Sequence, residues 1–468
     1  MVKKLSFILL VFLLCTGCAH HLDLPQPAGR VNIASLEPLK KDERILVLAP
    51  HPDDEALGCA GIIQQALAAG AKVRVAYLTN GDHNQLAFIV YEKRLTFKKR
   101  EFIYMGEVRR KEAIKAMKLL GIDEKDLIFL GYPDFGTFRI FSQYWRAKKP
   151  FKDIMTHIPS VPYKGNLSFG APYVGESILG DLEKVLQDYK PDKIFVSHSA
   201  DVNVDHKALY LFLQIALRDL EKKIPKPKVY PYLVHCVGWP LPRHYRPQLS
   251  LAPPQKFLHS QINWQEFRLS PEQLDKKHRA ILCYKSQTES SAFYLLSFAR
   301  QNELFGDYPE IELDRQVSLK EKAPLFFGFS DMFTDSGIDT GEQAKISEDP
   351  GGVSYAVVDH SLLVRVEKSR NLSRRFGIML YLFGYSSKTP FSAMPKVRII
   401  TLYNRFNIFD GRKLIKAEGV AAELKSNVLI LKVPLKILGE PEFILTSIKT
   451  YTGKLPFNAI GFRKIDIK

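Results

Sequence analysis

The chain has 468 residues, 46% of them hydrophobic and 25% charged, a balance that supplies a large core and excludes wholesale disorder. At roughly 100–200 residues per domain, this length accommodates two or three. Lys and Arg number 67 against 50 Asp and Glu, a formal charge of +17. Such a surplus suits phospholipid headgroups or anionic envelope polymers, or is a solvated basic face without a partner. No arginine-rich stripe with interleaved aromatics and no helix-turn-helix or zinc-finger spacing occurs, so nucleic acid is not an expected partner.

Lys3 and Lys4 precede the apolar run Leu5 to Leu14, which is too short to span a bilayer and has the plan of a secretory signal. The run ends in Leu14-Cys15-Thr16-Gly17-Cys18 and resembles a bacterial lipoprotein signal, in which cleavage precedes a lipid-modified cysteine. The resemblance implies a signal peptide over residues 1–18, a lipid anchor at Cys18 and an exported, membrane-anchored protein. Ala19 in place of Asp then implies the outer membrane, if the host is Gram-negative. Cys15 departs from the pattern, which usually has Leu there; an ordinary signal peptide cut nearby is the alternative. The other cysteines, Cys59, Cys236 and Cys283, form neither a disulfide framework nor a C-x-x-C metal spacing.

Residues 19–42 read as a tether containing Pro25, Pro27 and Pro38. Strands are expected at Arg44–Leu48, Lys72–Leu78, Leu127–Leu130, Lys193–Ser197 and Val229–Cys236. Helices are expected at Ala56–Ala69, Arg109–Leu120, Glu176–Tyr189, Asp205–Leu220, Pro271–Tyr284 and Ser290–Glu303. This alternation predicts an α/β domain over residues 43–310, a parallel sheet with helices on both faces. Segments 83–105 and 132–172 are long for connections and are read as pocket walls or lids, with peripheral decoration as the plain alternative. Beyond a cut near residues 310–325, short β-rich runs recur, among them Ser361–Val366, Phe376–Leu382 and Val428–Val433. They predict a smaller all-β sandwich over residues 325–468. Tyr381, Phe383, Tyr385 and Tyr403 are either a sugar platform or core.

The first strand ends in His51-Pro52-Asp53-Asp54-Glu55. Acidic residues at a helix start have an ordinary capping role, and a histidine fits a tight turn. Chemistry accounts for the whole cluster: His51 and Asp54 suit a grip on one Zn2+, and Asp53 is left to take a proton from the metal's water. Three ligands and an open position make a hydrolytic zinc site. The fourth strand leads into His198-Ser199-Ala200-Asp201-Val202-Asn203-Val204-Asp205-His206. His206, at a helix start, is the third ligand expected. Asp205 beside it is placed to orient an imidazole by hydrogen bonding, and Asp201 is a second outer-shell candidate. No G-x-G-x-x-G or P-loop is present, so no nucleotide is expected.

These residues, with Arg109-Arg110-Lys111-Glu112, Leu130-Gly131-Tyr132-Pro133-Asp134, Val174-Gly175-Glu176-Ser177 and Tyr284-Lys285-Ser286-Gln287, resemble the LmbE-like, or PIG-L, family of zinc-dependent N-deacetylases. The resemblance covers residues 43–305. It implies a Rossmann-like fold, zinc on His51, Asp54 and His206, Asp53 as general base, and sugar contacts from Arg109 and Asp134. It implies a substrate with an N-acetylglucosamine unit, as a conjugate or within a longer glycan. The family's second motif usually reads H-P-x-D-x-H-x-D-H; here Ser199 replaces Pro and Asn203 replaces the middle His. Asparagine donates a hydrogen bond to an oxyanion but no proton. His198 and His235 are the candidate substitutes beside the substrate, each with a buried structural role as the alternative. The reading is therefore an envelope N-deacetylase for an N-acylated amino sugar. The alternatives are a glycan-binding lipoprotein with weakened hydrolase activity and a zinc amidase for thiol conjugates.

Overall fold

In the computed structural model, the structure describes residues 33–93, 98–146, 148–257, 260, 262–315, 350–368, 376–402, 405–416, 418–425, 427–452, 455–459 and 461–468. The lipoprotein signal, Cys18 and Tyr403 lie outside them. Among these residues no helix is long and apolar enough to cross a membrane. Cys59, Cys236 and Cys283 are free thiols.

Eight described strands make the first sheet: β1 (Ala34–Ser35), β2 (Arg44–Ala49), β3 (Lys72–Thr79), β4 (Leu127–Tyr132), β5 (Lys193–Ser197), β6 (Lys228–Tyr232), β7 (Asn263–Arg268) and β8 (Asn302–Asp307). Their order is β1-β7-β8-β6-β5-β2-β3-β4. From β6 to β4 every pairing is parallel, and the segments Ile45–Ala49 and Lys193–Ser197 are buried throughout, as a sheet covered on both faces requires. The chain runs β2-β3-β4 toward one edge and β5-β6 toward the other, so β2 and β5 are neighbours, with Leu48 opposite Val196. That adjacency is the topological switch point, where a crevice opens beyond the strands' carboxyl ends.

The described helices are α1 (Asp54–Ala68), α2 (Gln85–Glu92), α3 (Lys99–Leu120), α4 (Thr137–Gln143), α5 (Gly175–Tyr189), α6 (Val204–Asp219), α7 (Pro271–Ile281) and α8 (Lys285–Leu295). Two expectations need correction. Segment 83–105 is largely helical, because α2 and the first turns of α3 occupy it. The expected helix to Glu303 stops at Leu295, and Asn302–Asp307 becomes β8, antiparallel to β7 and β6, so the sheet is mixed rather than wholly parallel. β7 was likewise not expected: Asn-Trp-Gln-Glu-Phe-Arg is only half-buried and carries few apolar residues.

A second, all-β region follows. One sheet has the order β10-β11-β17-β16, from β10 (Pro350–Val358), β11 (Ser361–Lys368), β16 (Ala421–Lys425) and β17 (Val428–Pro434). The other runs β15-β14-β13-β12-β18-β20-β9, with β19 on β18. Its strands are β9 (Ile311–Leu313), β12 (Phe376–Tyr385), β13 (Lys396–Leu402), β14 (Arg405–Asp410), β15 (Lys413–Ile415), β18 (Phe443–Thr452), β19 (Leu455–Ala459) and β20 (Arg463–Ile467). Alternation along β12 divides its side chains between two cores. Ile378, Leu380 and Leu382 enter the sandwich with Val364, Leu431 and Ile444. Tyr381, Phe383 and Tyr385 enter the α/β core instead. There Phe383 meets Phe141 edge-on at 5.2 Å, Phe141 meets Phe212 at 4.9 Å, and Tyr385 donates to Asp219 at 2.6 Å. These three aromatics are therefore core and not a sugar platform.

A shared aromatic seam ties the two regions into one cooperative unit. Phe383→Ala is expected to cost about 3–5 kcal/mol, as other buried aromatic truncations do. Helix and strand circular-dichroism signals should still melt in one transition; two separated transitions would show the regions to be independent.

Candidate metal centre

Two short loops build the site, one leaving β2 and one leaving β5. His51 is pinned by its own backbone N–H, which donates to Asp54 Oδ2 at 2.9 Å. The same oxygen lies 3.2 Å from His51 Nδ1 and 3.1 Å from His206 Nε2. All three side chains are buried, with His206 wholly enclosed. Ligand atoms on a four-coordinate zinc with bonds of about 2.0–2.2 Å stand roughly 3.3–3.6 Å apart, close to this arrangement. The donor set fits such an ion on a further ground. Both His206 nitrogens are buried and lack hydrogen-bond geometry, although each lies 3.1 Å from a carboxylate oxygen.

The other ring nitrogens face carboxylates, as ligating histidines generally do. His51 Nε2 lies 3.0 Å from Asp134 and 3.3 Å from Asp205, while His206 Nδ1 lies 3.1 Å from Asp201. Asp205 thus serves His51 rather than its neighbour His206. It is fixed by the Phe135 and Thr137 backbone N–H groups at 2.6 and 3.1 Å. Asp201 accepts N–H bonds from Asn203, Val234 and His235, at 2.8, 3.1 and 2.8 Å, and so joins the loops after β5 and β6.

Asp53 occupies a costly backbone conformation, φ 126° and ψ −30°, at the start of α1. Its backbone N–H donates to Glu55 at 3.1 Å, and Tyr284 donates to the other Glu55 oxygen. Arg109 supports the same loop: it donates to Pro52 O at 2.6 Å and to Gly81 O at 2.9 Å, and it pairs with Asp53 at 3.3 Å. Gly81 has φ 67°, and a Cβ there would collide with the guanidinium. Glu112, from the same helix, accepts from Ser286 N at 2.8 Å and Ser286 Oγ at 2.6 Å. Two of the segments that carried the resemblance, Arg109–Glu112 and Tyr284–Gln287, therefore meet at the Asp53 loop.

The remaining expected residues are distributed as follows. Asp134 is buried beside His51 and accepts the His83 N–H at 3.1 Å. Asn203 caps α6, accepting the Asp205 N–H at 2.8 Å. His235 joins His51, Asp54 and His206 in one group whose ligand atoms lie within 4.8 Å of one another. Its ring centroid is 4.8 Å from that of His206. His198 belongs to none of the donor groups among the described residues; it packs on Trp264 and Tyr308. Sequence reasoning missed the His83 bridge, in which Nδ1 lies 2.9 Å from Asp82 and Nε2 2.8 Å from Asp153. The Asn-Gly-Asp-His run after β3 was its only signal.

Electrostatics make this a site that demands positive charge. Burial opposes a charged His206, but Asp201 and Asp54 push it up to about 9. Burial lifts Asp53 to about 7 against the pull of Arg109, and lifts Glu55 to about 8 against Tyr284. In the unfolded chain the ordinary values of 6.5, 3.8 and 4.5 apply, so the folded state holds these protons more tightly. Stability from a raised pKa is present below the unfolded value and lost as pH rises through the folded one. The buried His198 and the half-buried His235, lowered to about 3 and 4, change their contribution only below their ordinary 6.5. Metal-free protein is therefore expected to unfold at falling temperature between about pH 7 and pH 9. Zinc, replacing those protons, should flatten the site's share of that slope in calorimetry. Lys207 and Lys396, lowered to about 7, act in the opposite sense at both zinc levels. The test is therefore the difference between chelated and zinc-loaded protein, and no difference would contradict the charge assignment.

Residues 46–217 match the family described as PIG-L, GlcNAc-PI de-N-acetylase. A glucosamine-6-phosphate deaminase-like protein of Bacteroides thetaiotaomicron is 22% identical over 266 residues, which cover 54% of this chain and only 37% of that relative. The N,N'-diacetylchitobiose deacetylase of Pyrococcus horikoshii aligns at 17% identity over 52% of this chain and 70% of its own, with a TM-score of 0.32. The 4-carboxy-2-hydroxymuconate hydratase of Pseudomonas putida KT2440 aligns at 19% over 55% and 82%, with a TM-score of 0.35. A deacetylase and a hydratase at such scores decide no reaction. Residues 46–217, which carry His51, Asp54 and His206, are a PIG-L (LmbE-like) domain.

Proposed function

We propose that the protein is a zinc-dependent hydrolase that removes an N-acetyl group from an N-acetylglucosamine-type sugar in an envelope glycan or glycoconjugate. The observation that carries this reading is the convergence of His51 Nδ1, Asp54 Oδ2 and His206 Nε2 beside Asp53. The family match over residues 46–217 supports it. A zinc ion held by these three residues supplies a Lewis acid for water and for the amide carbonyl.

The chain's own groups do the rest. Asp53 takes the proton of the attacking water and passes it to the departing amine, held in place by Arg109 and by Glu55 behind its backbone. Arg109 and Asp134 are engaged with the loops and with His51, so a sugar contact from either uses its remaining capacity. Asn203 spends its side-chain oxygen on capping α6. His235 is then the better placed of the two candidate histidines to face the oxyanion. Burial keeps it neutral, lowered to about 4, so it acts as a hydrogen-bond donor. Export and lipid anchoring at Cys18 complete the proposal, and the weakened glycan-binding alternative rests on Asn203 alone.

Asp53→Asn should lower the rate of acetate release from N-acetylglucosamine oligomers by about 10²–10⁴-fold while bound zinc stays at wild-type stoichiometry. Unchanged turnover would remove Asp53 from the mechanism, and lost zinc would make it a ligand. His235→Ala should reduce kcat with zinc affinity intact; a large loss of affinity would make His235 a fourth ligand. Radiolabelled palmitate should enter the wild-type chain in bacteria and not Cys18→Ala, and label on both would refute the anchor.

A further inference from the structure

A series of rings leads outward from the metal centre. His206 is enclosed, and the ring of half-buried His235 lies 4.8 Å from it. Tyr294, on α8, lies nearly parallel to His235, their ring centroids 6.1 Å apart. Its hydroxyl donates to Val234 O at 2.7 Å, which ties α8 to the loop leaving β6. The Arg243 guanidinium, from that loop, covers the Tyr294 ring at 4.7 Å. Next along the loop, the His244 ring lies 6.3 Å from that of Phe293, and Tyr245 stacks on His278 at 4.0 Å. Exposure rises along the series: Phe293 is 44% and Tyr245 38% exposed, and His244 is open to solvent.

The exposed end of the series is held in place. Buried Arg300 donates to Pro242 O and, at 2.8 Å, to Arg246 O, so it clamps the loop on both sides of the exposed residues. The His244 N–H donates to Phe293 O at 2.7 Å. His244 takes φ 69°, a left-handed conformation that is costly for any residue with a side chain. Trp239, at the loop's start, is buried edge-on against Phe298 at 5.4 Å and donates to Ala252 O at 2.7 Å. Exposed rings fixed in a costly geometry mark a binding surface. Their neighbours decide what they bind. An alkyl chain asks for apolar contact alone, whereas each ring here has a polar group at hand: Arg243 at Tyr294, His244 at Phe293, and the hydroxyl of Tyr245 itself. A pyranose has an apolar C–H face and a rim of hydroxyls, and so answers both.

We propose that Arg243, His244, Tyr245 and Phe293 form an outer subsite for the sugar residues next to the one at the metal, so that the substrate is an oligosaccharide or polymer rather than a single sugar. His235 and Tyr294 connect that subsite to the metal centre. The reaction at the metal rests on the deacetylase reading; the affinity for glycan rests on the rings.

The test is calorimetric titration of the full-length, zinc-loaded protein in detergent with N-acetylglucosamine and its β-1,4-linked dimer, trimer and tetramer. The tetramer should bind about tenfold or more tightly than the single sugar, the return of one or two ring contacts. Phe293→Ala and Tyr245→Ala should each remove most of that gain while single-sugar affinity and zinc content stay at wild-type values; Phe293→Tyr should keep it. In turnover the gain should appear as a lower KM at unchanged kcat. Equal affinities along the series, or a full gain in both alanine variants, overturn the proposal. A flat series, with binding of Cys18→Ala protein to phosphatidylglycerol vesicles that Phe293→Ala weakens, would make this wall a membrane contact and overturns it too. Affinity that grows with length but brings no acetate release would refute the reaction and leave the subsite standing. Acetate release at one affinity for all lengths would do the reverse.

Discussion

Asp54 Oδ2 is the atom on which the rest of the site depends. It accepts the His51 N–H and stands within 3.2 Å of both His51 Nδ1 and His206 Nε2, residues 155 positions apart in the chain. The contact exists only because β2 and β5 are adjacent and parallel, which sets their two carboxyl-end loops side by side. Had β5 joined the sheet at an edge, His206 would lie strands away from His51. The fold's contribution to the chemistry is that one adjacency.

A cluster of buried acids is stable only when something supplies the opposite charge. Asp53, Asp54, Asp134, Asp201 and Asp205 are all at most 8% exposed and crowd around two imidazoles and one guanidinium. Asp134 is held well below the usual carboxylate range, because His51, His83 and Arg109 together outweigh its burial. The site therefore favours cations by construction, and protons and a metal ion would compete for the same places. His83, braced between Asp82 and Asp153, extends that balance outward to the loop beyond α4.

Much of this was legible in the sequence, and the limits have physical causes. His51, Asp54 and His206 were readable because each stands at a strand end, where apolar runs give way abruptly to polar ones. The pairing of Asp205 with His51 was not, since it depends on how the β4–α4 turn presents the Phe135 and Thr137 amides. Tyr284 and Glu55 are 229 positions apart, and no local spacing links them. β8 was mistaken for helix because Leu295 to Ala299 continues the apolar run of α8 without a proline or glycine to end it. Tyr381, Phe383 and Tyr385 were ambiguous because a strand buried on both faces loses the polar half of its alternation.

The aromatic seam has a consequence for any ligand that the surface of the sandwich would hold. A carbohydrate module on a flexible tether raises the local concentration of substrate over a range of distances. Here Phe141, Phe212, Phe383 and Phe443 share one core, so the sandwich cannot swing. Anything gripped on its surface is held at one fixed offset from His51. Such a body would act as a ruler rather than a leash, presenting a ligand to the metal centre at a set position instead of merely keeping it close.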